Sequence, residues 1–427
     1  MNRRDFTKLV LAAPFAATAA NGATASKVAS DEQGSVPSDG SSHPLAGKKL
    51  SAWKPGEFQI HFIYTGVAES QFWIMPDGTT MLLDCGAHPA WQRGKKSLWI
   101  LPNGRRHAGE WIARYVGRVN PHKTDVDYMM ITHHHADHAG MEGWGGFAKA
   151  SETLKFRRGF DRGWPDFDEP IPNERCDSAC YKHVRELLTL LAERDGLRME
   201  KFSVGAVDQV AMLRDAASHA GFRVTNIAGN GKILCRDGSV RDLYAAKHGA
   251  KRLNENGMSL GLLVQYGPFR YYTAGDFFDR FHLPDRSLLD IEVELAREID
   301  PVDVAKVNHH GHYSMARELV SALRARVWTA CVWDQLHVTE DALARLSSRE
   351  TYPGPRLVAP GVFSPERRLA DAGKPFFADI ARESFDAGHV VVTVASGGAS
   401  YSVAYVTADD ESMKVTGAYD FASRQEA

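Results

Sequence analysis

The sequence predicts a layered α/β fold, and three observations carry that expectation. Short apolar runs with period-two alternation recur along most of the chain, stretches with helical spacing lie between them, and Gly, Pro and Asp clusters separate the two. The 427 residues hold 51 Lys+Arg against 53 Asp+Glu, with 44% hydrophobic and 24% charged residues. That balance is too apolar and too evenly charged for a disordered chain, and 5 cysteines are too few for a disulfide scaffold. A net charge of −2 provides no global field for nucleic acid, so stable nucleic-acid binding is not expected.

The first 25 residues read as an address. Arg3-Arg4 precede an apolar, Ala-rich run, and Ala23-Thr24-Ala25 supplies a small-residue cleavage pattern, together resembling a twin-arginine signal peptide. The expected partner is the twin-arginine export machinery, and the expected location periplasmic or secreted. Residues 26–48, rich in Ser, Gly, Asp and Pro, read as a flexible leader, with order beginning near Leu50. No other apolar run approaches the roughly 18 residues of a membrane span.

From there residues 58–65, 71–75 and 80–84 alternate as strands of an antiparallel meander, with Pro76-Asp77-Gly78 as a turn. Residues 110–119 are helical in spacing and 125–132 form a strand with an apolar centre. Further strands are expected at 260–266, 269–274, 302–307 and 327–333, with a final hairpin of 390–394 and 401–406 around Gly397-Gly398. Helical spacing marks 181–193, 207–220, 316–324 and 341–346. The expected organisation is one domain over 49–420, with a helical insertion at about 151–250 and a strand-rich C-terminal extension at about 325–420.

The chemistry concentrates in Thr132-His133-His134-His135-Ala136-Asp137-His138-Ala139-Gly140. A strand that ends in His-x-His-x-Asp-His puts imidazoles and a carboxylate on one short loop, and these are the usual ligands of catalytic zinc. Other carboxylate and histidine candidates follow strands elsewhere: Asp84 in Leu83-Asp84-Cys85-Gly86, Asp276 in Ala274-Gly275-Asp276, and the pair in His309-His310-Gly311.

These motifs resemble those of the metallo-β-lactamase superfamily, defined by His-x-His-x-Asp-His. The resemblance implies a four-layer αββα sandwich and two metal ions, zinc first, with manganese or iron as alternatives. It implies His133 and His135 at one metal, Asp137 and His138 at the other, Asp276 bridging both, His310 at the last metal-ligand position, and Asp84 supporting the histidine loop. His310 is placed by the glycine that follows it, with His309 as a neighbour able to donate a proton or contact substrate. Pro76 to Gly86, Asn256-Gly-Met-Ser-Leu260, Tyr266 to Asp276 and His-His-Gly are similar to the competence-protein (ComEC-like) branch, including its free-standing exported hydrolases.

The implied activity is hydrolysis by a metal-bound hydroxide, oriented by Asp137, on a small-molecule or phosphodiester substrate. Lactone or β-lactam hydrolysis is the alternative, followed by an iron-binding redox role or a non-catalytic binding role. The superfamily's further histidine between the main motif and the bridging Asp has no clear counterpart. His248 is the nearest candidate, unless a substrate group or water completes that site.

Other features weigh less. Gly159-Phe-Asp-Arg-Gly-Trp-Pro-Asp-Phe-Asp-Glu-Pro170 reads as a surface loop whose Trp and Phe pack on the insertion, or as a cover for the site. His337, after the strand ending at Trp333-Asp334, reads first as a polar residue before a helix capped at Thr339, with a place facing the site as the alternative. Cys176 and Cys180 are open to a disulfide or a free pair, Cys85 reads as a small buried residue, and the oligomeric state is undetermined.

Overall fold

The computed structural model describes residues 39–87, 100–143, 145–176, 180–247, 253–278, 289–363, 365–386 and 388–424. The expected signal (1–25), the leader as far as 38, and His248 lie outside the described residues.

Strands β1 (Phe58–Phe62), β2 (Ser70–Ile74) and β3 (Thr80–Cys85) form the meander their alternation predicts. Helix α1 (Ala108–Val119) crosses to β4 (Asp125–Ile131), which pairs parallel to β3. Two single turns, α2 (Ala136–Ala139) and α3 (Phe147–Ala150), precede β5 (Lys155–Asp161), and α4 (Tyr181–Asp195) leads to β6 (Arg198–Lys201).

The second sheet starts with β7 (Phe222–Gly229), β8 (Lys232–Leu234), β9 (Val240–Asp242), β10 (Gly261–Tyr266) and β11 (Phe269–Ala274). It continues through α5 (Ile291–Ala296), β12 (Val304–Lys306), α6 (Arg317–Leu323), β13 (Val327–Ala330), α7 (Glu340–Leu346) and β14 (Leu357–Pro360). From β11 to β14 these strands pair in parallel, as helical crossovers require. After α8 (Pro365–Asp371), strands β15 (Gly388–Val394), β16 (Ser400–Thr407) and β17 (Val415–Ala422) return to the first sheet beside β1.

Among the described residues the first sheet runs β17-β16-β15-β1-β2-β3-β4-β5-β6 and the second β14-β13-β12-β11-β10-β7-β8-β9. Strand alternation sorts their side chains into three cores. Ile60, Trp73, Met81 and Tyr128 of the first sheet meet Val264, Tyr271, Val304 and Leu357 of the second. On the outer face of the first sheet, Phe72, Leu82 and Met129 pack against Ile112 and Val116 of α1 and Leu188 of α4. On the outer face of the second, Tyr272, Trp328 and Val358 pack against Leu295 of α5, Leu319 of α6 and Leu343 of α7. Helix, sheet, sheet and helix layers result, with central strands such as β1, β2, β3, β12 and β13 buried on both faces. Each fully buried Leu, Ile or Phe contributes about 1.5–3 kcal/mol to holding the layers together.

Three expectations need correction. Residues 207–220 form no α-helix, although their spacing is helical: the stretch holds one 3-10 turn at Ala217–His219, and of its residues Val210 alone is buried. The backbone N–H groups of Leu213 and Arg214 go instead to Thr79 Oγ1 (2.8 Å) and Asp77 Oδ2 (2.7 Å), and the Arg214 guanidinium pairs with Asp127. Nonlocal partners thus replace the i to i−4 ladder. The segment 151–250 holds one long helix but also β5 to β9, which extend both sheets, so it is a mixed segment and not a helical insertion. The leader does not stay free up to Lys48: Gly40 N–H bonds Glu383 Oε1 (3.0 Å), and Gly47 N–H bonds the Val415 carbonyl (2.8 Å). The C-terminal segment gives β13 and β14 to one sheet and β15 to β17 to the other, so both sheets depend on it. No helix among the described residues is long and apolar enough to cross a membrane.

Candidate metal centre

The candidate residues sit just past the C-terminal ends of strands, where an α/β layer leaves a crevice. Asp84 lies at the end of β3, the histidine loop follows β4, Asp276 follows β11, His309 and His310 follow β12, and Cys331 to Trp333 follow β13. Gly86 lets the β3 end and α2 touch: a Cβ there would lie 1.8 Å from the Asp137 carbonyl oxygen. At the other side His309 (φ 45°) and His310 (φ 53°) are both left-handed, a conformation costing about 1–2 kcal/mol per residue, and Gly311 follows at φ 74°. A Cβ on Gly311 would lie 2.1 Å from Val338 Cγ1, so the chain can turn under His337-Val338 only with glycine there.

Asp84, fully buried, organises the histidine loop. Its carboxylate accepts from Thr132 N (2.8 Å), Thr132 Oγ1 (2.7 Å) and His138 Nδ1 (2.7 Å). The neutral ring of His138 therefore carries its proton on Nδ1, which leaves Nε2 as the nitrogen able to bind a metal. His310 is set the same way: its Nδ1 donates to the Cys331 carbonyl (2.8 Å), freeing Nε2.

These freed nitrogens face carboxylates. His138 Nε2 is 3.1 Å from Asp276 Oδ1 and 3.9 Å from Asp137 Oδ2, while His310 Nε2 is 3.0 Å from Asp137 Oδ2 and 3.4 Å from Asp276 Oδ2. His133 Nε2 lies 3.8 Å from Asp276 Oδ2 and 3.2 Å from His135 Nδ1. His309 Nε2 is 4.0 Å from Asp276 Oδ2 and accepts from Asn256 Nδ2 (3.2 Å), leaving its Nδ1 without a partner. The structure thus brings His133, His135, Asp137, His138, Asp276, His309 and His310 to one place, with Asp84 directly behind.

The arrangement fits a divalent cation on its own chemistry. His138 Nε2 and Asp276 Oδ1 are buried with no hydrogen-bond partner, and the facing groups are acceptors. Ligand atoms of His138, Asp276, His310 and Glu69 lie within 4.8 Å of one another. Burial opposes charge on His310, yet the Asp276 and Asp137 carboxylates raise it to about 10. His138 rises well above its ordinary value for the same reason, with burial again opposing and Asp276 and Asp84 leading the carboxylates. His133 is pushed well below, mainly by burial and then by His138, and stays neutral. The negative field that holds protons on His138 and His310 is the field a metal ion would occupy. The residues supply imidazole nitrogen and carboxylate oxygen, suited to zinc and also to iron or manganese, and do not select one.

Several contributors escape local sequence reasoning. Glu69, before β2, and Lys306, at the end of β12, form a buried ion pair at 2.8 Å beneath the cluster. A lysine inside an otherwise apolar strand is the one signal that pointed there. Trp333 Nε1 donates to Asp137 Oδ2 (3.0 Å). His337 is not a polar residue waiting before α7: it is buried and stacks on His310, with ring centroids 5.1 Å apart at 14°. Thr339 caps α7 as expected.

His134 turns away from its neighbours. Its Nε2 meets Asp161, its Nδ1 is 3.2 Å from Asn173 Nδ2, and its N–H bonds Glu255 Oε1 (2.7 Å). Arg162 grips the same Glu255 with both carboxylate oxygens, and both residues are fully buried. The 159–170 segment is therefore anchored at its start: Asp161 and Arg162 hold the back of the histidine loop, while Trp164 and Phe167 pack on the first sheet's outer core. Cys85, Cys176 and Cys180 are all buried.

Residues 64–179 match the family model of the Metallo-beta-lactamase superfamily. That segment includes β2 to β5 and the whole histidine loop, and the two-sheet, helix-flanked architecture is the metallo-β-lactamase sandwich. No curated protein matches the chain. Among solved structures it is similar to the metallo-beta-lactamase fold protein YhfI from Bacillus subtilis, at 10% identity and a TM-score of 0.37, over 70% of this chain and 96% of that one. It is also similar to a diphosphatase from the PhnP family, at 12% identity and a TM-score of 0.27, over 64% and 85%.

Proposed function

We propose that this chain is an exported metal-dependent hydrolase with a dizinc centre, acting on a phosphodiester in the periplasm or outside the cell. One observation carries the metal-hydrolase reading: buried imidazole nitrogens and carboxylate oxygens converge, His138 Nε2 and Asp276 Oδ1 among them without a hydrogen-bond partner, at the ends of parallel strands in a metallo-β-lactamase fold. Members of that superfamily are generally metal-dependent hydrolases. The similarity of Pro76 to Gly86, Tyr266 to Asp276 and His-His-Gly to the ComEC-like branch supports a phosphodiester substrate, and Arg3-Arg4 with Ala23-Thr24-Ala25 supports twin-arginine export.

Bound divalent ions supply Lewis acidity and a water acidified towards neutrality. The chain's own residues do the rest. His133 and His135 would hold one ion, and Asp137, His138 and His310 the other, with Asp276 available to both. Asp137, fixed by Trp333 and tethered through its backbone to Glu69, orients the attacking water. Asp84 keeps His138 in the tautomer that presents Nε2. His309 is neutral, pushed down to about 4 chiefly by burial, with His310 and His312 adding to it and Asp276 opposing. As a neutral imidazole whose Nε2 accepts from Asn256, it offers an unpartnered Nδ1–H to a leaving-group oxygen.

The test is elemental analysis of the purified chain, followed by assays on bis-p-nitrophenyl phosphate, phosphorylcholine esters, lactones and a chromogenic cephalosporin. Metal at one to two ions per chain with phosphodiester turnover is expected. Activity confined to lactones or the cephalosporin overturns the substrate, and a chain without metal overturns the centre.

A further inference from the structure

Lys306 and Glu69 bear charges in the interior with no direct place among the expected ligands. Lys306 Nζ has three protons and three oxygens around it: Glu69 Oε1 at 2.8 Å, the Ala274 carbonyl at 2.7 Å and the Gly275 carbonyl at 3.2 Å. Those carbonyls belong to the two residues immediately before Asp276. The two carbonyl acceptors and the facing carboxylate hold the ammonium in place, so the end of β11 is pinned to β12.

Glu69 reaches the other components. Its Oε2 lies 3.4 Å from His310 Nδ1, behind the ring nitrogen that faces the carboxylates. Its backbone N–H bonds the Asp137 carbonyl (2.8 Å), and its carbonyl accepts from Gly86 N (3.2 Å). One residue pair therefore touches the carriers of Asp137, Asp276 and His310, which come from both sheets. Much of the remaining sheet-to-sheet contact is nondirectional apolar packing, which tolerates shifts larger than a metal–ligand bond does, with polar links such as Tyr271 OH to Gln71 Oε1 (2.6 Å) and Gln71 Nε2 to Thr273 Oγ1 (3.1 Å) beside it.

We propose that Glu69 and Lys306 are a positioning pair that sets the separation of Asp276, His310 and Asp137 across the two sheets, and with it the affinity of the metal centre. Glu69 acts as a support behind His310, on the side of Nδ1 and not of Nε2. This inference rests on the metal-centre reading above.

The test uses the full chain and zinc, with affinity read by chelator competition and geometry by the d–d absorption of the cobalt-loaded protein. Lys306→Met and Glu69→Gln each leave one buried charge unpaired and are expected to lower zinc affinity. The double variant E69Q/K306M removes both charges together. It is expected to fold as the parent does by circular dichroism, yet to bind zinc at least about tenfold more weakly and with shifted cobalt bands. Lys306→Arg keeps the charge but spreads its donors over a plane, and is expected to show a smaller loss of the same kind. Should the double variant fail to fold, Lys306→Arg decides the matter. Parental affinity and parental cobalt bands in a folded double variant, or in Lys306→Arg when it alone decides, overturn the pair's role. A parent chain that binds neither zinc nor cobalt overturns the metal centre itself, and the pair proposal with it.

Discussion

His138 Nδ1 and Asp84 Oδ2 lie 2.7 Å apart with both side chains fully buried, which commits the imidazole proton to the carboxylate and turns the other ring nitrogen towards Asp276. Asp84 holds this position from a left-handed backbone, φ 57°, a conformation asparagine also tolerates. Asp84→Asn should therefore fold while losing the charge that fixes the His138 tautomer. Zinc affinity should fall about 10–100-fold by chelator competition. Unchanged affinity would remove Asp84 from its supporting role.

The two halves of the centre should separate by mutation. Asp276 faces His133, His138, His309 and His310. His135 is half-buried at the edge and touches His133. Asp276→Ala should empty the protein of metal, whereas His135→Ala should lower the content towards one ion per chain. Elemental analysis decides, and equal metal content in both variants and the parent would contradict the assignment.

Away from the centre, His61 and His389 are buried on either side of Tyr115. Burial pushes each down to about 3, so both are neutral in the folded chain. Above pH 6.5 folded and unfolded forms are alike at these rings. As pH falls from 6.5 towards 3 the unfolded chain takes up protons that the folded chain refuses, and stability drops by about 1.4 kcal/mol per pH unit for each ring. Urea unfolding at pH 7.5, 5.5 and 4.5 should show this loss. The His61→Gln/His389→Gln variant should lose less over the same range, and a variant with the parent's slope would show that other groups control acid stability.

Arg162 and Glu255 are fully desolvated, and Glu255 also holds the His134 N–H. Arg162→Met leaves a buried carboxylate without its partner and should cost about 3–5 kcal/mol by urea unfolding. Adding Glu255→Gln should recover most of that stability. A single variant as stable as the parent would show that water reaches the pair.

The mixed layering was legible because its signals are local. The alternation in β1 to β3, the spacing in α1, α4, α6 and α7, and the turn at Gly397-Gly398 each depend on residues within one element. Residues 207–220 show the limit: the same helical spacing is overridden by Asp77, Thr79 and Asp127, which lie far away in sequence and offer better hydrogen bonds. The strands within 151–250 were hidden similarly, since short strands such as β8 and β9 gain their pairing only from the sheet they join.

The candidate site divides along the same line. His133, His135, Asp137 and His138 fall within six consecutive positions, so the sequence by itself determined that imidazoles and a carboxylate would cluster after β4, and motif resemblance added Asp84, Asp276 and His310. Only the tertiary structure decided that Glu69 and Lys306 lie beneath them, that Trp333 holds Asp137, that His337 stacks on His310 and that His134 turns away to Asp161. The reason is physical. A run of ligand-type side chains is written in adjacent residues, but the charges and rings that fix its geometry come from strand ends on two different sheets, and their proximity exists only once those sheets have packed.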